Sequence, residues 1–315
     1  MDAQYVEVGI NLLRQCLALQ ENETLLVVCD RLKKEIAEAL CEAGRRIGSE
    51  SILMVMAERQ RDGEEPPAPI AEAMKQANVV VCATEFSLTH TKARKNAAAA
   101  GVRVATMPGI TEDMLVEGAI SADYEQVKER TEKVTEILTR GRQVRIEKDG
   151  KILRFSIDGA SGIPSTGMYL NPGESGNLPS GEAYIAPLLG TASGEIVVDG
   201  SVAGIGKIDS PLTITVEGGR LVDAKGSVAD RLLATLGDGD GRMLGEFGIG
   251  TNDKARVTGN VLEDEKVYGT IHVAFGSNIT FGGTIDAGVH IDLVVHEPDV
   301  YIDDVQILSR GKLTI

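Results

Sequence analysis

Residues 24–48, TLLVVCDRLKKEIAEALCEAGRRIG, join a short apolar run to a stretch in which Ile36, Leu40, Ala43 and Ile47 recur at three- and four-residue spacing. The first part has the length and composition of a buried strand, and the second has the period of an amphipathic helix. The same unit returns three times. ESILMVM (50–56) precedes PIAEAMKQAN (69–78), VVVCATE (79–85) precedes TKARKNAAAAG (91–101), and VRVATM (102–107) precedes TEDMLVEGAI (111–120). Strands that alternate with helices at this spacing predict an α/β domain, a parallel sheet with helices on both faces. A charged helix, DYEQVKERTEKVTEILTRG (123–141), leads out of it.

Beyond that helix glycine becomes frequent and helices nearly vanish. QVRIEKDGKILRFSI (143–157), GEIVVDGSVAG (194–204), LTITVEGGRLVDAKG (212–226) and KVYGTIHVAFG (266–276) read as strands joined by Asp-Gly and Gly-Gly turns, the preferred chemistry of hairpins. One short helix, ADRLLATLG (229–237), interrupts them. The expectation is therefore an α/β domain over 1–143 followed by a mostly β, Gly-rich, metal-binding domain over 144–315.

The 315-residue chain carries a formal charge of -15, contains no Trp and is 3% aromatic. Phosphate backbones and anionic membrane surfaces would be repelled, and there is little to stack on nucleobases. No run approaches the length needed to cross a bilayer, and acids stand where a secretory signal would carry bases. A cytoplasmic protein that binds neither nucleic acid nor membrane is expected. Cys16, Cys29, Cys41 and Cys82 lie in apolar settings without C-x-x-C spacing, as small hydrophobes. The strand ends VVCDRLKKE and CATEFSLTH lack a glycine-rich phosphate loop, so no nucleotide is expected there. Asp238 and Asp240 alternate with glycine, but position 249 is Ile where a calcium loop needs Glu. Thr89, beside His90, is read as a helix cap.

Chemistry concentrates near the C-terminus, where three of the four histidines fall. In GVHID (288–292), His290 and Asp292 are two apart in a strand and so share a face about 7 Å apart. His272 sits in the apolar strand GTIHVAFG (269–276). Two imidazoles and a carboxylate match the facial triad that holds iron(II), and equally a partial set for zinc, cobalt or manganese. His296, before EPD, reads as a strand-end residue outside the set. Glu182 in GNLPSGEAYIAP (176–187) and Glu246 in LGEFGIGTN (244–252) are flanked by apolar residues and glycine, where an unpaired carboxylate is costly and a cation is needed. Together the five residues would suffice for two divalent ions.

In that order, with SLTHTKARKNAAAAGVRVATMPG (87–109) upstream, these segments resemble the thermophilic metallo-aminopeptidases of the T and S type, over most of the chain. The resemblance implies a dinuclear site of zinc, cobalt or manganese held by Glu182, Glu246, His272, His290 and Asp292. It also implies an enclosed site in a homodimer, a peptide substrate, and hydrolysis of N-terminal residues with Glu182 or Glu246 relaying the proton. The family's Tyr shortly after its first ligand histidine is missing here, where Ser277, Asn278 and Thr280 stand; Tyr184, on the face of Glu182, either substitutes for it or only packs beside the site. The segments are also similar to dihydroxypyridine ring-cleaving dioxygenases, which implies a single iron(II) on His272, His290 and Asp292, with Glu182 and Glu246 behind it as acid and base, and a small-molecule substrate. A non-catalytic metal or ligand binder is the third expectation.

Overall fold

A computed structural model of the chain describes residues 2–315, which divide into two compact units, 2–125 with Gly167–Ser180, and Gln126–Thr166 with Gly181–Ile315. The first unit runs α1 (Ala3–Leu17), β1 (Thr24–Asp30), α2 (Lys34–Ile47), β2 (Glu50–Met56), α3 (Ala68–Met74), β3 (Val79–Thr84), α4 (Lys92–Ala99), β4 (Arg103–Pro108) and α5 (Glu112–Val116). Its strands pair in parallel, as the repeated strand and helix units predict. Strand β3 is buried throughout and β1 nearly so, because helices cover both faces. Helix α1 was not anticipated. Asp2 caps it by accepting from the Gln4 amide, and Gly9 lets it close on α2, since a Cβ there would stand 2.9 Å from that of Ala43. The cap of α4 is Thr91, which accepts from the Arg94 amide; Thr89 instead bonds Thr106 and Asn177, each at 2.8 Å. All four cysteines are buried and free.

Helix α6 (Tyr124–Arg140) leads into the second unit, where β5 (Gln143–Lys148) and β6 (Lys151–Ser156) form the expected hairpin. Its turn places Asp149 and Gly150 at φ of 49° and 74°, the left-handed pair that matches strand twist. After β7 (Ile163–Ser165) the chain returns to the first unit, where β8 (Ser175–Asn177) adds in parallel beside β4. That excursion, Gly167–Ser180, falls inside the 144–315 range expected for the β domain, yet it packs with the first unit. The second unit resumes with β9 (Glu182–Ile185), β10 (Ser193–Val198), β11 (Ser201–Val202), β12 (Gly206–Lys207), β13 (Leu212–Glu217), β14 (Arg220–Lys225), α7 (Ala229–Leu236), β15 (Leu244–Gly250), α8 (Val261–Asp264), β16 (Ile271–Gly276) and β17 (His290–Val295). It ends with β18 (Asp299–Ile302), β19 (Val305–Ser309) and β20 (Lys312–Leu313).

These strands make an eight-stranded sheet, β14-β13-β10-β6-β5-β18-β19-β20, and a seven-stranded sheet, β12-β11-β17-β16-β15-β9-β7. Phe155 of the first and Phe247 of the second meet edge to face at 5.3 Å within one apolar core that both sheets line. The Asp199-Gly200 turn is not a hairpin as its sequence suggests: β10 and β11 enter different sheets. Gly200 passes so close to β17 that a Cβ would stand 2.8 Å from the Val294 carbonyl, and Asp199 accepts from the His296 amide and pairs with Lys148. The fold class is thus an α/β unit with a parallel sheet and a mostly antiparallel β unit. Among the described residues no helix is long and apolar enough to cross a membrane.

Candidate metal centre

The site is built on one face of β9, β15, β16 and β17. Register places Tyr184 opposite Gly248 and Gly248 opposite His272; the next row runs Glu246, Ala274, Asp292. Side chains alternate across a strand, so Glu182, Glu246, His272, His290 and Asp292 share this face, while Phe247, Ile249, Val273, Phe275 and Leu293 enter the core behind it. Four positions of this face are small, Gly248, Gly250, Ala274 and Gly276, with Tyr184 and Val294 at its margins. Those positions are a floor. A Cβ on Gly248 would run into the His272 ring, which lies against that glycine.

The five expected residues meet. His272 Nε2 is 3.2 Å from Glu246 Oε1 and 3.6 Å from Glu182 Oε2; His290 Nε2 is 3.4 Å from both Glu246 Oε2 and Asp292 Oδ1. Glu246 therefore stands between the two imidazoles. His290 Nδ1 lies 2.8 Å from the Ser277 carbonyl, which can only accept, so Nδ1 carries the proton and Nε2 is turned to the carboxylates. Ser277 is held in turn: its hydroxyl accepts from the amides of Ala287 and Gly288. Buried Asn278 clasps the same loop through Gly245 and Ile285. Phe281 stands edge to face with His290 at 6.0 Å and with Tyr184 at 5.5 Å.

Two residues at the site carried no sequence signal. Lys266, fully buried, donates to Glu182 Oε1 at 2.8 Å and also to Glu265. In the sequence these residues lie in EDEK (263–266), which reads as a solvated charge run. Donor atoms fall into two groups: Glu246, His290 and Asp292, and Glu182, Glu265 and His272, with ligand atoms within 4.8 Å of one another in each. The expected triad of His272, His290 and Asp292 thus straddles both. His296 lies outside, bonded through its backbone to Asp199 and Lys148.

Charge sets the protonation of the metal-free centre. Burial opposes the His272 imidazolium, but the hydrogen bond to Glu246 and the charges of Glu182, Glu246 and Glu265 hold its pKa up at about 9. His290 is raised to about 10: burial again opposes, outweighed by Asp292 and then Glu246. Burial works against the ionised Asp292, yet His290 keeps it below the usual carboxylate range. Lys266, in spite of burial, is held protonated by Glu182 and Glu265, while burial pushes Glu265 itself up against the pull of Lys266. Three buried atoms of the centre take part in no hydrogen bond: Glu182 Oε2, Asp292 Oδ1 and His272 Nδ1. Leaving such groups unsatisfied costs about 1–3 kcal/mol each, more for charged ones. A metal ion would answer the two carboxylate oxygens, and the mix of imidazole and carboxylate donors suits iron(II), manganese or zinc.

The model of the family 2,5-dihydroxypyridine 5,6-dioxygenase matches residues 5–315. Among solved structures, the 2,5-dihydroxypyridine dioxygenase of Pseudomonas putida has a TM-score of 0.84 at 18% identity, covering 99% of this chain and 97% of its own. AmpT from Thermus thermophilus has a TM-score of 0.72, also at 18% identity, with 99% of both chains covered. No curated protein sequence matches the chain. At this identity the structural likenesses are of fold. The expectation of a metallo-aminopeptidase removing N-terminal residues is overturned by the match over 5–315: relatedness to AmpT is a shared fold, and a common scaffold does not carry an activity with it. The chain belongs to the 2,5-dihydroxypyridine 5,6-dioxygenase family.

Proposed function

We propose that the protein is an iron(II)-dependent dioxygenase that opens the ring of a dihydroxylated pyridine, inserting both atoms of dioxygen without an external reductant. The family match over nearly the whole chain carries this reading, and the donor set on the β15–β17 face supports it. His272, His290 and Asp292 would hold the metal. Iron(II), when bound, supplies the one-electron chemistry by which ground-state dioxygen reacts with a closed-shell ring.

The remaining steps belong to the chain's own side chains. The Ser277 carbonyl fixes the His290 tautomer, so that Nε2 presents a lone pair. Gly248 leaves the space that the His272 ring occupies. Glu246, between the imidazoles, is the carboxylate placed to accept a proton from a ring hydroxyl as the substrate ionises. Phe281, edge to face with both His290 and Tyr184, offers an aromatic side to the site against which a planar heterocycle could pack.

The test is anaerobic reconstitution with iron(II), then addition of 2,5-dihydroxypyridine and oxygen. One dioxygen should be consumed per ring, the aromatic absorbance should be lost, and both atoms of labelled dioxygen should be found in the product. Iron retained at one per chain without oxygen uptake would leave a metal-binding protein and end this reading.

A further inference from the structure

The group formed by Glu182, Glu265 and His272 has the donor chemistry of a divalent-ion site and adjoins the group formed by Glu246, His290 and Asp292, since His272 Nε2 lies 3.2 Å from Glu246 Oε1. Taken alone, the two groups describe a centre for two ions. A cation is already present in one of them. The Lys266 ammonium is 2.8 Å from Glu182 Oε1 and bonded to Glu265, with its side chain 1% exposed.

The fold has made room for this lysine. Gly250, paired with Glu182 across β9 and β15, lies against the backbone of Lys266 and Val267, and a Cβ there would run into the Val267 carbonyl. The Lys266 carbonyl accepts from Asn252 at 2.9 Å, and its amide donates to Glu263 at 2.9 Å, so the backbone that carries the side chain inward is pinned at both polar groups. A buried ammonium is tolerated only where anions surround it, and two carboxylates do so here. Glu182 Oε2 is left as a buried acceptor without a hydrogen bond, 3.6 Å from His272 Nε2, so Lys266 holds one oxygen of this carboxylate while the other faces the imidazole.

We propose that the Lys266 ammonium is the second cation of this centre: it occupies the place of a second divalent ion and restricts the protein to one metal per chain. An ion and an ammonium competing for the same carboxylates repel each other strongly in a buried site, so binding of one excludes the other. Lys266 is then a specificity-determining residue for metal number, and it leaves His272 to serve the single ion. This rests on the reading of the β15–β17 face as a metal centre, and the experiment separates the two.

Metal-free full-length protein is loaded with excess zinc(II) or manganese(II), dialysed, and counted by elemental analysis and native mass spectrometry. Wild type should hold one ion, Lys266→Arg one, and Lys266→Met two. One ion in both wild type and Lys266→Met overturns the role of Lys266 and leaves the metal centre standing; two ions in wild type overturn it as well. No ion in wild type sinks the centre and the lysine's role together. Should Lys266→Met be insoluble as expressed, zinc(II) in the refolding buffer is expected to restore folded protein, because the ion replaces the missing charge; insolubility with and without zinc, beside soluble Lys266→Arg, overturns the proposal.

Discussion

One backbone, β9 with β15, β16 and β17, carries two opposite faces. Toward the eight-stranded sheet it presents Phe247, Ile249, Val273, Phe275 and Leu293, all fully buried and packed on residues such as Phe155. The other side presents carboxylates, imidazoles and a floor of glycine and alanine. The first face contributes through area removed from water, a term that is not directional. The second holds like charges together in a buried place, which is tolerated only with compensating cations and fixed geometry. Core side chains can be exchanged for others of similar volume, whereas each group on the site face answers a specific neighbour.

The two faces predict different failures. The largest effect is expected from Asp292→Ala, which removes a ligand and a charge from the site face. Retained iron should fall far below one per chain, and oxygen uptake should drop by more than the ~100-fold that follows loss of a mere outer partner. Full iron occupancy in this variant would contradict its place in the set.

Phe247→Ala breaks the opposite face one residue away from Glu246. Its expected cost is ~3–5 kcal/mol of folding stability, read from denaturant titration, with the iron count of the remaining folded protein unchanged. Iron lost in parallel with stability would show that the faces are not separable.

Gly248→Ala sharpens the boundary between them. The added methyl meets the His272 ring rather than the core, so iron affinity should weaken by ~10–100-fold while the melting transition moves little. A collapse in stability with intact affinity would reverse that assignment.

The smallest effect concerns pH. With His272 at about 9 and His290 at about 10 in the metal-free protein, each imidazolium must lose its proton before its nitrogen can bind a metal. Both values are raised, so their contribution to the stability of the metal-free fold is fully present below about 6.5 and is lost as pH rises through 9 and 10. Metal affinity runs the other way and climbs across that window. Calorimetry in buffers of different ionisation enthalpy should find close to two protons released per ion at pH 7. No release would mean that the imidazoles are not the ligands.

Much of this was legible in the sequence, because the signals are local. The apolar runs at 24–30 and 50–56 match β1 and β2 end to end, and the H-x-D of β17 placed His290 and Asp292 on one face by period alone. Other features were hidden for equally physical reasons. Asp199-Gly200 has hairpin composition, but whether two strands pair or part is settled by what packs against them. The Gly167–Ser180 excursion lacks a periodic pattern, since its three-residue strand β8 is held by the neighbouring β4. Aminopeptidase and dioxygenase readings draw on the same motif residues, and the order of those residues alone did not separate them.

By itself the amino-acid sequence determined the alternation that separates an apolar face from a polar one and the identity of five side chains able to face a cation, since both follow from a two-residue repeat and from chemistry written in each residue. Tertiary structure decided the rest: that Glu246 stands between the imidazoles, that Gly248 supports the ring of His272, and that Lys266 enters the acid cluster. Burial of charge depends on which groups from distant segments surround it, and a charged residue that reads as solvated in its own stretch becomes a structural cation once carboxylates enclose it.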